Sequence, residues 1–420
     1  FETIYNASYP GDFDTVYKHV GTRAAIGFQA SDDNIFVTEY PGLTKMYEAV
    51  TQYNGFSAIE AGKLMGLAPY GKPNDDLPPF FRDGWGNRDL IIPTYPNAAQ
   101  INVNRFDILK EDVKHHEPNK YTDIQKDLAY KIQEETSDKM VELIRKAHEL
   151  TGEKNIVVCG GYGLNCVANY KYLREFPDLN IYCEPISHDG GTSIGGAKYV
   201  HNKLEETTKP SKQESVYYGP QYDPTGYEAD LEGLEVTDTS YDDVAKLLRE
   251  RNIVTIYQGR SEGGPRALGN RSILFDPTIQ DGKDYVNAVK HREWFRPFAC
   301  SIKAENVHEW FDLAGREETP HMMYAVECLE GVEKIIPSVI HVDNTCRIQT
   351  VTQEQNEHYY NLISAFEKLS EVPILFNTSF NLGGDPLVET IEDAIDTLKN
   401  SDIEWMYLPE IQKLVHVPNE

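Results

Sequence analysis

In Ile156-Val157-Val158-Cys159-Gly160-Gly161 a short apolar run ends abruptly in two glycines. The pattern predicts a buried strand followed by a glycine turn. A second run of this kind follows, in which Ile181-Tyr182-Cys183 leads to Asp189-Gly190-Gly191 and then to the small residues 193–197. Two strand, loop and helix units in succession favour an α/β architecture, with ligands at the loops that leave the strand C-termini.

The surrounding sequence indicates two domains. Upstream, the apolar spacing over 122–150 predicts a long amphipathic helix. Between about 201 and 215 the chain turns polar and loses apolar periodicity, so we predict a first domain at 1–208 and a second at 209–420. The second domain is predicted to be α+β, with strands at 253–257, 298–302, 347–351, 374–376 and 405–408 and helices at 241–251, 356–369 and 390–399.

Composition narrows the function classes. With 40 Lys+Arg and 67 Asp+Glu, the 420-residue chain has a formal charge of −27, which disfavours nucleic acid and anionic membranes as partners. The sequence contains no apolar run long enough to span a bilayer and no signal-peptide pattern, so we expect a soluble, cytoplasmic protein. The six cysteines are scattered singly, which predicts reduced core residues rather than disulfides or a zinc site.

A glycine-rich loop in this acidic chain carries three arginines: Gly259-Arg260-Ser261-Glu262-Gly263-Gly264-Pro265-Arg266-Ala267-Leu268-Gly269-Asn270-Arg271-Ser272. Glycines let backbone N–H groups approach an anion, and guanidinium groups match phosphate or carboxylate oxygens. The alternative is a solvated loop whose arginines pair with surface acids. A second basic cluster at 290–297 favours a polyphosphate ligand instead.

Two further groups of polar residues follow predicted strands. Asn377-Thr378-Ser379-Phe380-Asn381 gathers amides and hydroxyls at a strand end, where they could line a nucleotide pocket or form an ordinary turn. The loops at Gly160-Gly161 and Gly190-Gly191 are similar to paired glycine loops that hold nucleotides in actin-like folds. Asp189 beside Gly190 could bind a metal or cap the following helix.

Taken together, the motifs at 60–71, 160–169, 259–274, 290–299 and 376–386 resemble, in order, those of the O-carbamoyltransferases of nodulation-factor and antibiotic biosynthesis. The resemblance implies an actin-like, TsaD-type α/β domain, incomplete at its N-terminus, followed by an α+β YrdC-like domain. It also implies a reaction in which carbamoyl phosphate and ATP give carbamoyl-adenylate, whose carbamoyl group passes to the hydroxyl of a small-molecule acceptor.

The resemblance assigns roles to particular residues. Positive side chains would stabilise charge on the phosphate groups during adenylation, and these candidate catalytic residues are Arg260, Arg266, Arg271, Lys290, Arg296 and Arg347. Candidate cofactor-binding residues are Gly160, Gly161, Asn165, Gly190, Gly191, Arg292, Asn377, Ser379 and Asn381. Asp189 is the candidate ligand for Fe2+ or another divalent metal.

The resemblance also has a gap. Members of the family carry an N-terminal segment with a histidine metal motif that precedes the start of this sequence. We therefore expect an incomplete metal site, and a separate segment or partner chain that completes the first domain. An alternative is a nucleotide-binding subunit that lacks transfer activity on its own. Threonylcarbamoyl transfer to tRNA is a further alternative, against which the charge of −27 argues.

Overall fold

The chain forms two compact units. The computed structural model describes residues 2–418 except 22–32, 83–84, 87–88, 95–97, 206–212 and 214. One unit holds Phe1–Tyr182 and Thr192–Ser211, and the other holds Cys183–Gly191 and Lys212–Glu420. The segment Cys183–Gly191 thus lies with the second unit, although it falls inside the predicted domain 1–208. The predicted boundary at 208/209 lies outside the described residues.

The first unit contains nine strands and six helices in its described part. A three-stranded sheet has the order β1-β2-β3, in which β1 and β2 are antiparallel and β2 and β3 are parallel, and three strand pairs follow: β4–β5, β6–β7 and β8–β9. The strands are β1 (Glu2–Ser8), β2 (Asp12–Gly21), β3 (Ile35–Thr38), β4 (Phe81–Arg82), β5 (Trp85–Gly86), β6 (Ile91–Thr94), β7 (Ala98–Ile101), β8 (Asn155–Val158) and β9 (Asn180–Cys183). The helices are α1 (Leu43–Tyr53), α2 (Ala61–Leu67), α3 (Asp107–Asp112), α4 (Asp123–Thr151), α5 (Cys166–Glu175) and α6 (Gly191–Leu204), the last with its first residue in the second unit.

Helix α4 organises the first unit. Thr122 begins it as N-cap in a capping box with Gln125, and Gly152 ends it in the left-handed conformation with φ 73°. The helix packs against α1, α2 and α5. Its buried face also carries polar residues, and one of them, Asp127, accepts hydrogen bonds from Lys72 N at 3.0 Å and Asn74 Nδ2 at 2.9 Å. The helix therefore anchors loops as well as the apolar core.

The second unit is built on one ten-stranded mixed sheet of order β10-β19-β18-β11-β12-β17-β13-β16-β15-β14. Its strands are β10 (Glu235–Asp238), β11 (Val254–Tyr257), β12 (Arg271–Phe275), β13 (Ala299–Lys303), β14 (Phe311–Asp312), β15 (Ala325–Cys328), β16 (Thr345–Val351), β17 (Ile374–Ser379), β18 (Trp405–Leu408) and β19 (Lys413–His416). Its helices are α7 (Tyr241–Arg249), α8 (Gly282–Val289), α9 (Val332–Ile335), α10 (Glu357–Ser370) and α11 (Ile391–Lys399). Strands β11 and β12 are buried along their whole length, and α10 packs on β13 and β17, so the core lies at the middle of the sheet.

Every element predicted for this unit is present, but the strands β10, β12, β14, β15 and β19 and the helices α8 and α9 were not predicted. The five predicted strands and three predicted helices are all present, with ends shifted by up to three residues. Thr390 is the N-cap of α11 in a capping box with Asp393, as predicted. Strand β12 was not predicted, because the glycine-rich motif was interpreted as loop through Ser272. The mixed α/β class is confirmed, with a large mixed sheet.

Candidate functional site

The candidate site of the second unit lies where β17, β13 and β16 run side by side. Asn377 on β17 is paired with Ala299 on β13, and Ala299 is paired with Arg347 on β16. Directly paired residues point to the same face of a sheet. The sheet register therefore brings Asn377 and Arg347, which are 30 positions apart in the sequence, into one row.

Four positive side chains form what we call the cationic cluster: Lys290, Arg292, Arg296 and Arg347. They act on one another electrostatically, since Arg292 and Arg296 lower the pKa of Lys290, and Arg296 and Arg347 lower the pKa of Arg292. Burial is the larger cause in both cases, and together these effects bring the pKa of Arg292 down to about 9. Like charges gathered in a buried place destabilise each other unless an anion compensates them.

Lys290 is the most buried member of the cluster, with 1% of its surface exposed. Its Nζ donates to the backbone oxygen of Asn381 at 2.6 Å, to Asn381 Oδ1 at 3.1 Å and to the carbonyl of Ser379. These acceptors are neutral, and no carboxylate of the described chain lies within ion-pair distance of Lys290. The ammonium is thus solvated by the protein while its charge stays uncompensated.

The three arginines differ in their partners. Arg292 donates to Thr378 Oγ1 at 3.3 Å and lies over the Phe298 ring at 5.3 Å. Arg296 pairs with Glu293 at 3.5 Å. Over the residues that the structure describes, the side chain of Arg347 makes no hydrogen bond or ion pair, and its Nε is buried. Arg292 and Arg347 therefore carry charge that a bound anion could neutralise.

The turn after β17 covers Lys290. Ser379 Oγ donates to Asn381 Oδ1 at 2.7 Å, and Gly383 N donates to the Lys290 carbonyl at 2.9 Å. A Cβ added at Gly383 would lie 2.8 Å from the carbonyl oxygens of Lys290 and His291, closer than real side chains come. The Asn-Thr-Ser-Phe-Asn motif thus packs against the second basic motif, as a shared pocket requires.

The glycine-rich loop connects β11 to β12, and it holds its three arginines in different environments. Arg260 is exposed and Arg266 is half-buried. Arg271 is fully buried: Nη1 donates to the carbonyls of Gln258 at 2.5 Å and Asn270 at 3.0 Å, and Nη2 donates to those of Gly259 at 3.2 Å and Glu389 at 3.3 Å. Its guanidinium also lies 3.8 Å from the centre of the Tyr257 ring. The terminal donors of Arg271 are thus used on backbone carbonyls of the loop and of Glu389, whose carboxylate also lies 3.9 Å from Nη2.

A buried polar network ties this loop to the sheet. Asn377 is fully buried, and its Nδ2 donates to Ser301 Oγ at 2.9 Å and to the Ala267 carbonyl at 3.2 Å. Gln349 Nε2 donates to the Leu268 carbonyl at 2.9 Å. Asn377, predicted to bind a cofactor, thus holds the loop with its amide nitrogen. Ser301 and Gln349 were missed because single polar residues inside strands give no sequence signal.

Glu262 was also missed, although it stands in the quoted motif. Its side chain is buried, and Oε1 accepts hydrogen bonds from the backbone N–H groups of Leu268, Asn270 and Arg271. The available signal was that Glu262 is the single acidic residue among the glycines and arginines of this motif. These N–H groups were expected to approach an anion, and instead they bind the chain's own carboxylate.

In the first unit, the predicted nucleotide loop follows β8. Gly160 and Gly161 are exposed there. Asn165 is buried: its Oδ1 caps α5 by accepting from Ala168 N at 3.1 Å, and its Nδ2 donates to Gln133 Oε1 at 3.0 Å. Gln133 Nε2 in turn donates to Asn165 Oδ1 at 3.2 Å. The amide of Asn165 thus fixes the loop to α4, and nucleotide binding by these residues stays a prediction.

The segment Cys183–Gly191 packs on the glycine-rich loop within the second unit. A Cβ at Gly264 would lie 3.1 Å from the Pro185 carbonyl, and one at Gly263 would lie 3.2 Å from Ile186 Cδ1. The segment ends in Asp189, Gly190 and Gly191, of which the first two are exposed. The structure therefore brings the second predicted nucleotide loop next to the arginine motif.

A metal at Asp189 is not supported by the side chains around it. Over the described residues, no three His, Cys, Asp or Glu side chains lie close enough together to hold a metal ion. One carboxylate rarely holds iron alone. The described residues therefore do not fit the metal that the resemblance implies, and we assign it no step.

Two simpler expectations can be compared with the structure. All six cysteines are free, and five are buried, while Cys159 is exposed. No helix in the described residues is long and apolar enough to cross a membrane.

Comparisons with known proteins agree with these motifs. Residues 18–198 match the family described as carbamoyltransferase N-terminus, and residues 245–413 match carbamoyltransferase C-terminus. Nodulation protein NolNO of Sinorhizobium fredii is 35% identical over 413 residues, which are 94% of this chain and 58% of that protein. Nodulation protein NolO of Bradyrhizobium diazoefficiens is 31% identical over 94% of this chain and 72% of its own length.

Two more similarities are weaker. The 3'-hydroxymethylcephem-O-carbamoyltransferase of Streptomyces clavuligerus is 28% identical over 83% of this chain and 63% of its own length. Full-length HypF, solved in a phosphate- and nucleotide-bound form, overlaps 41% of this chain and 21% of that chain at 17% identity, with a TM-score of 0.28. The overlap with HypF is too small to assign a fold.

Proposed function

This chain belongs to the carbamoyltransferase family of enzymes, and from that membership we propose that it is an ATP-dependent O-carbamoyltransferase. In the proposed reaction, water cleaves carbamoyl phosphate to carbamate and phosphate. A carbamate oxygen then attacks the α-phosphorus of ATP, the bond to the bridging oxygen breaks, and pyrophosphate leaves. The acceptor hydroxyl finally attacks the carbamoyl carbon of the adenylate, losing its proton, and AMP departs.

The observation that carries the proposal is the excess positive charge of the cationic cluster. Lys290 and Arg347 have no carboxylate partner in the described residues, while Glu293 pairs with Arg296 and partly offsets the repulsion at Arg292. Burial and mutual repulsion still lower the pKa of Lys290 and of Arg292. In a chain of charge −27, acids were available to pair with them. A site with one buried and three half-buried cations and fewer acids suits a ligand with several negative oxygens, such as the triphosphate of ATP with carbamoyl phosphate.

The residues around the cluster take complementary roles in this proposal. Arg292, Arg296, Arg347 and Lys290 stabilise charge on the phosphate oxygens. Ser379 and Asn381, next to Lys290, orient the carbamoyl or nucleotide groups. Arg271 and Asn377 hold the glycine-rich loop instead of touching phosphate, since their donors bind backbone carbonyls and Ser301.

For the two units we propose the TsaD-type and YrdC-like folds, respectively, in line with the family profiles at 18–198 and 245–413. The second unit would form carbamoyl-adenylate, and the first would pass the carbamoyl group to a small-molecule hydroxyl. The chain spans 58% of NolNO, so the activity of the whole protein is part of this proposal.

Pyrophosphate release from ATP tests the proposal. The full chain is incubated with ATP, Mg2+ and carbamoyl phosphate, without acceptor, and with or without ferrous ion. Release that depends on carbamoyl phosphate, and is lost in Arg347→Met but kept in Arg251→Met, supports adenylation at the cluster. Arg251 is a suitable control because it is exposed and pairs with Asp281 at 2.7 Å. ATP binding without release would contradict adenylation and favour the nucleotide-binding subunit.

A further inference from the structure

The side chain of Glu262 connects the two ends of the glycine-rich loop by hydrogen bonds. Only 7% of its surface is exposed, and its Oε1 accepts from Leu268 N at 2.7 Å, Asn270 N at 3.0 Å and Arg271 N at 3.4 Å. One carboxylate oxygen thus accepts three backbone N–H groups, two from the end of the loop and one from the first residue of β12. The five residues 263–267 between Glu262 and Leu268 are therefore tied at both ends.

Arg271 complements Glu262 at the same place. Its guanidinium takes the carbonyl oxygens of Gln258, Gly259 and Asn270, while the carboxylate takes N–H groups. Burial raises the pKa of Glu262, and the backbone hydrogen bonds and the charge of Arg271 oppose that rise only in part. The Glu262 carboxylate thus pairs with backbone N–H groups and the Arg271 guanidinium with backbone carbonyls, in a loop without regular secondary structure.

A hydrogen bond links the glycine-rich loop to the candidate site. Asn377 Nδ2 donates to the Ala267 carbonyl, and Asn377 stands two residues before Ser379 on β17. Arg266 lies next to Ala267, inside the tied segment. Any shift of this segment therefore moves Arg266 and strains its link to β17.

We infer that Glu262 is a positioning residue: by accepting the N–H groups of Leu268, Asn270 and Arg271, it fixes the loop that Asn377 of β17 binds at the Ala267 carbonyl, beside the candidate site. The catalytic part of this inference rests on the function proposed above. The structural part, that Glu262 holds these three amides, can be tested without any activity.

Three variants separate the possible roles of Glu262. Glu262→Gln keeps an acceptor oxygen and removes the charge, whereas Glu262→Ala removes the acceptor. Glu135→Ala is the matched control, because the Glu135 carboxylate also accepts two backbone N–H groups, those of Phe80 and Phe81, but in the first unit. Hydrogen exchange is followed in peptides covering 266–272, and kcat and KM for carbamoyl phosphate are measured by pyrophosphate release.

We expect Glu262→Ala to lose exchange protection in 266–272 and to lower kcat/KM about 100-fold, the usual effect of a misplacement near 1 Å. Glu262→Gln should keep protection and stay within about tenfold of wild type, since its amide oxygen can still accept the three N–H groups through neutral hydrogen bonds. The control should leave both readouts of the second unit unchanged.

Other results would overturn the inference. Wild-type protection in Glu262→Ala would show that the amides do not depend on Glu262. Full inactivity of Glu262→Gln with intact protection would show that the ionised carboxylate itself takes part in the chemistry. If Glu262→Ala does not fold, Glu262→Asp, shorter by one methylene, replaces it: lost protection supports the inference, and wild-type protection and KM refute it. A wild type that releases no pyrophosphate refutes the proposed function, while the exchange data still decide whether Glu262 holds the loop.

Discussion

Replacing Arg347 with methionine should lower activity sharply and leave stability unchanged. The side chain of Arg347 makes no ion pair or hydrogen bond over the described residues, and it lowers the pKa of its neighbour Arg292. In the free protein its charge is therefore a source of repulsion. Methionine fills similar volume without charge, so we expect the free energy of unfolding to stay within about 1 kcal/mol of wild type, or to rise.

The same substitution removes one positive group from the proposed transition state. Loss of one preorganised electrostatic contact typically costs about 2.7 to 4 kcal/mol, or roughly 100- to 1000-fold in rate. The assay is kcat/KM for carbamoyl-phosphate-dependent pyrophosphate release, alongside thermal and urea unfolding, with Arg251→Met as control. Unfolding that becomes easier by more than about 2 kcal/mol, with activity unchanged, would refute the reasoning, because it would make Arg347 a structural residue.

Three further predictions follow from the site and its supports. Burial and mutual repulsion lower the pKa of Lys290 and of Arg292, the latter to about 9. A bound polyanion opposes the repulsion and raises both pKa values, so binding should take up protons. The Kd for pyrophosphate, measured by calorimetry, should therefore rise as the pH increases from 7 to 10. Gly383→Ala should reduce pyrophosphate release with little effect on the first unit, because its Cβ would press on the backbone over Lys290, and normal kinetics would contradict that. Asn165→Ala removes an N-cap and both hydrogen bonds between Asn165 and the buried Gln133 amide, so chemical unfolding should show a loss of about 2 kcal/mol.

Local patterns were enough to predict five of the ten strands of the second unit and three of its five α-helices. The capping box of Thr390 and Asp393 marked the start of α11, and apolar runs such as Val254–Tyr257 marked strands, because in each case neighbouring residues carry the signal. These features require no knowledge of which segments meet in space. The mixed α/β class followed from them.

Strand β12 shows where local patterns fail. It begins at Arg271, a charged residue at 0% exposure, inside a run that charge and glycine content mark as loop. What stabilises Arg271 there is a set of carbonyls from Gln258, Gly259 and Glu389, brought together by the fold. No property of the neighbouring sequence indicates those partners.

For the candidate site, the sequence indicated the charged and amide motifs but not the contacts that each residue makes. The sequence indicated positive charge at 290–297 and strand-end amides at 377–381 as separate motifs, and the structure packs the turn after β17 on Lys290. Which residues keep free charge and which are spent on the backbone depends on long-range contacts. Arg271, Asn377 and Asn165 were all expected to touch ligand, and all three hold loops in place.

Trapping the intermediate tests the central claim most directly. The full chain is mixed with ATP, Mg2+ and 13C-labelled carbamoyl phosphate, quenched rapidly, and examined by mass spectrometry for labelled carbamoyl-adenylate. The proposed function predicts the labelled adenylate in wild type and in Arg251→Met, and its absence in Arg347→Met. ATP bound by the wild type without any labelled adenylate would contradict the assignment of the cationic cluster as an adenylation site.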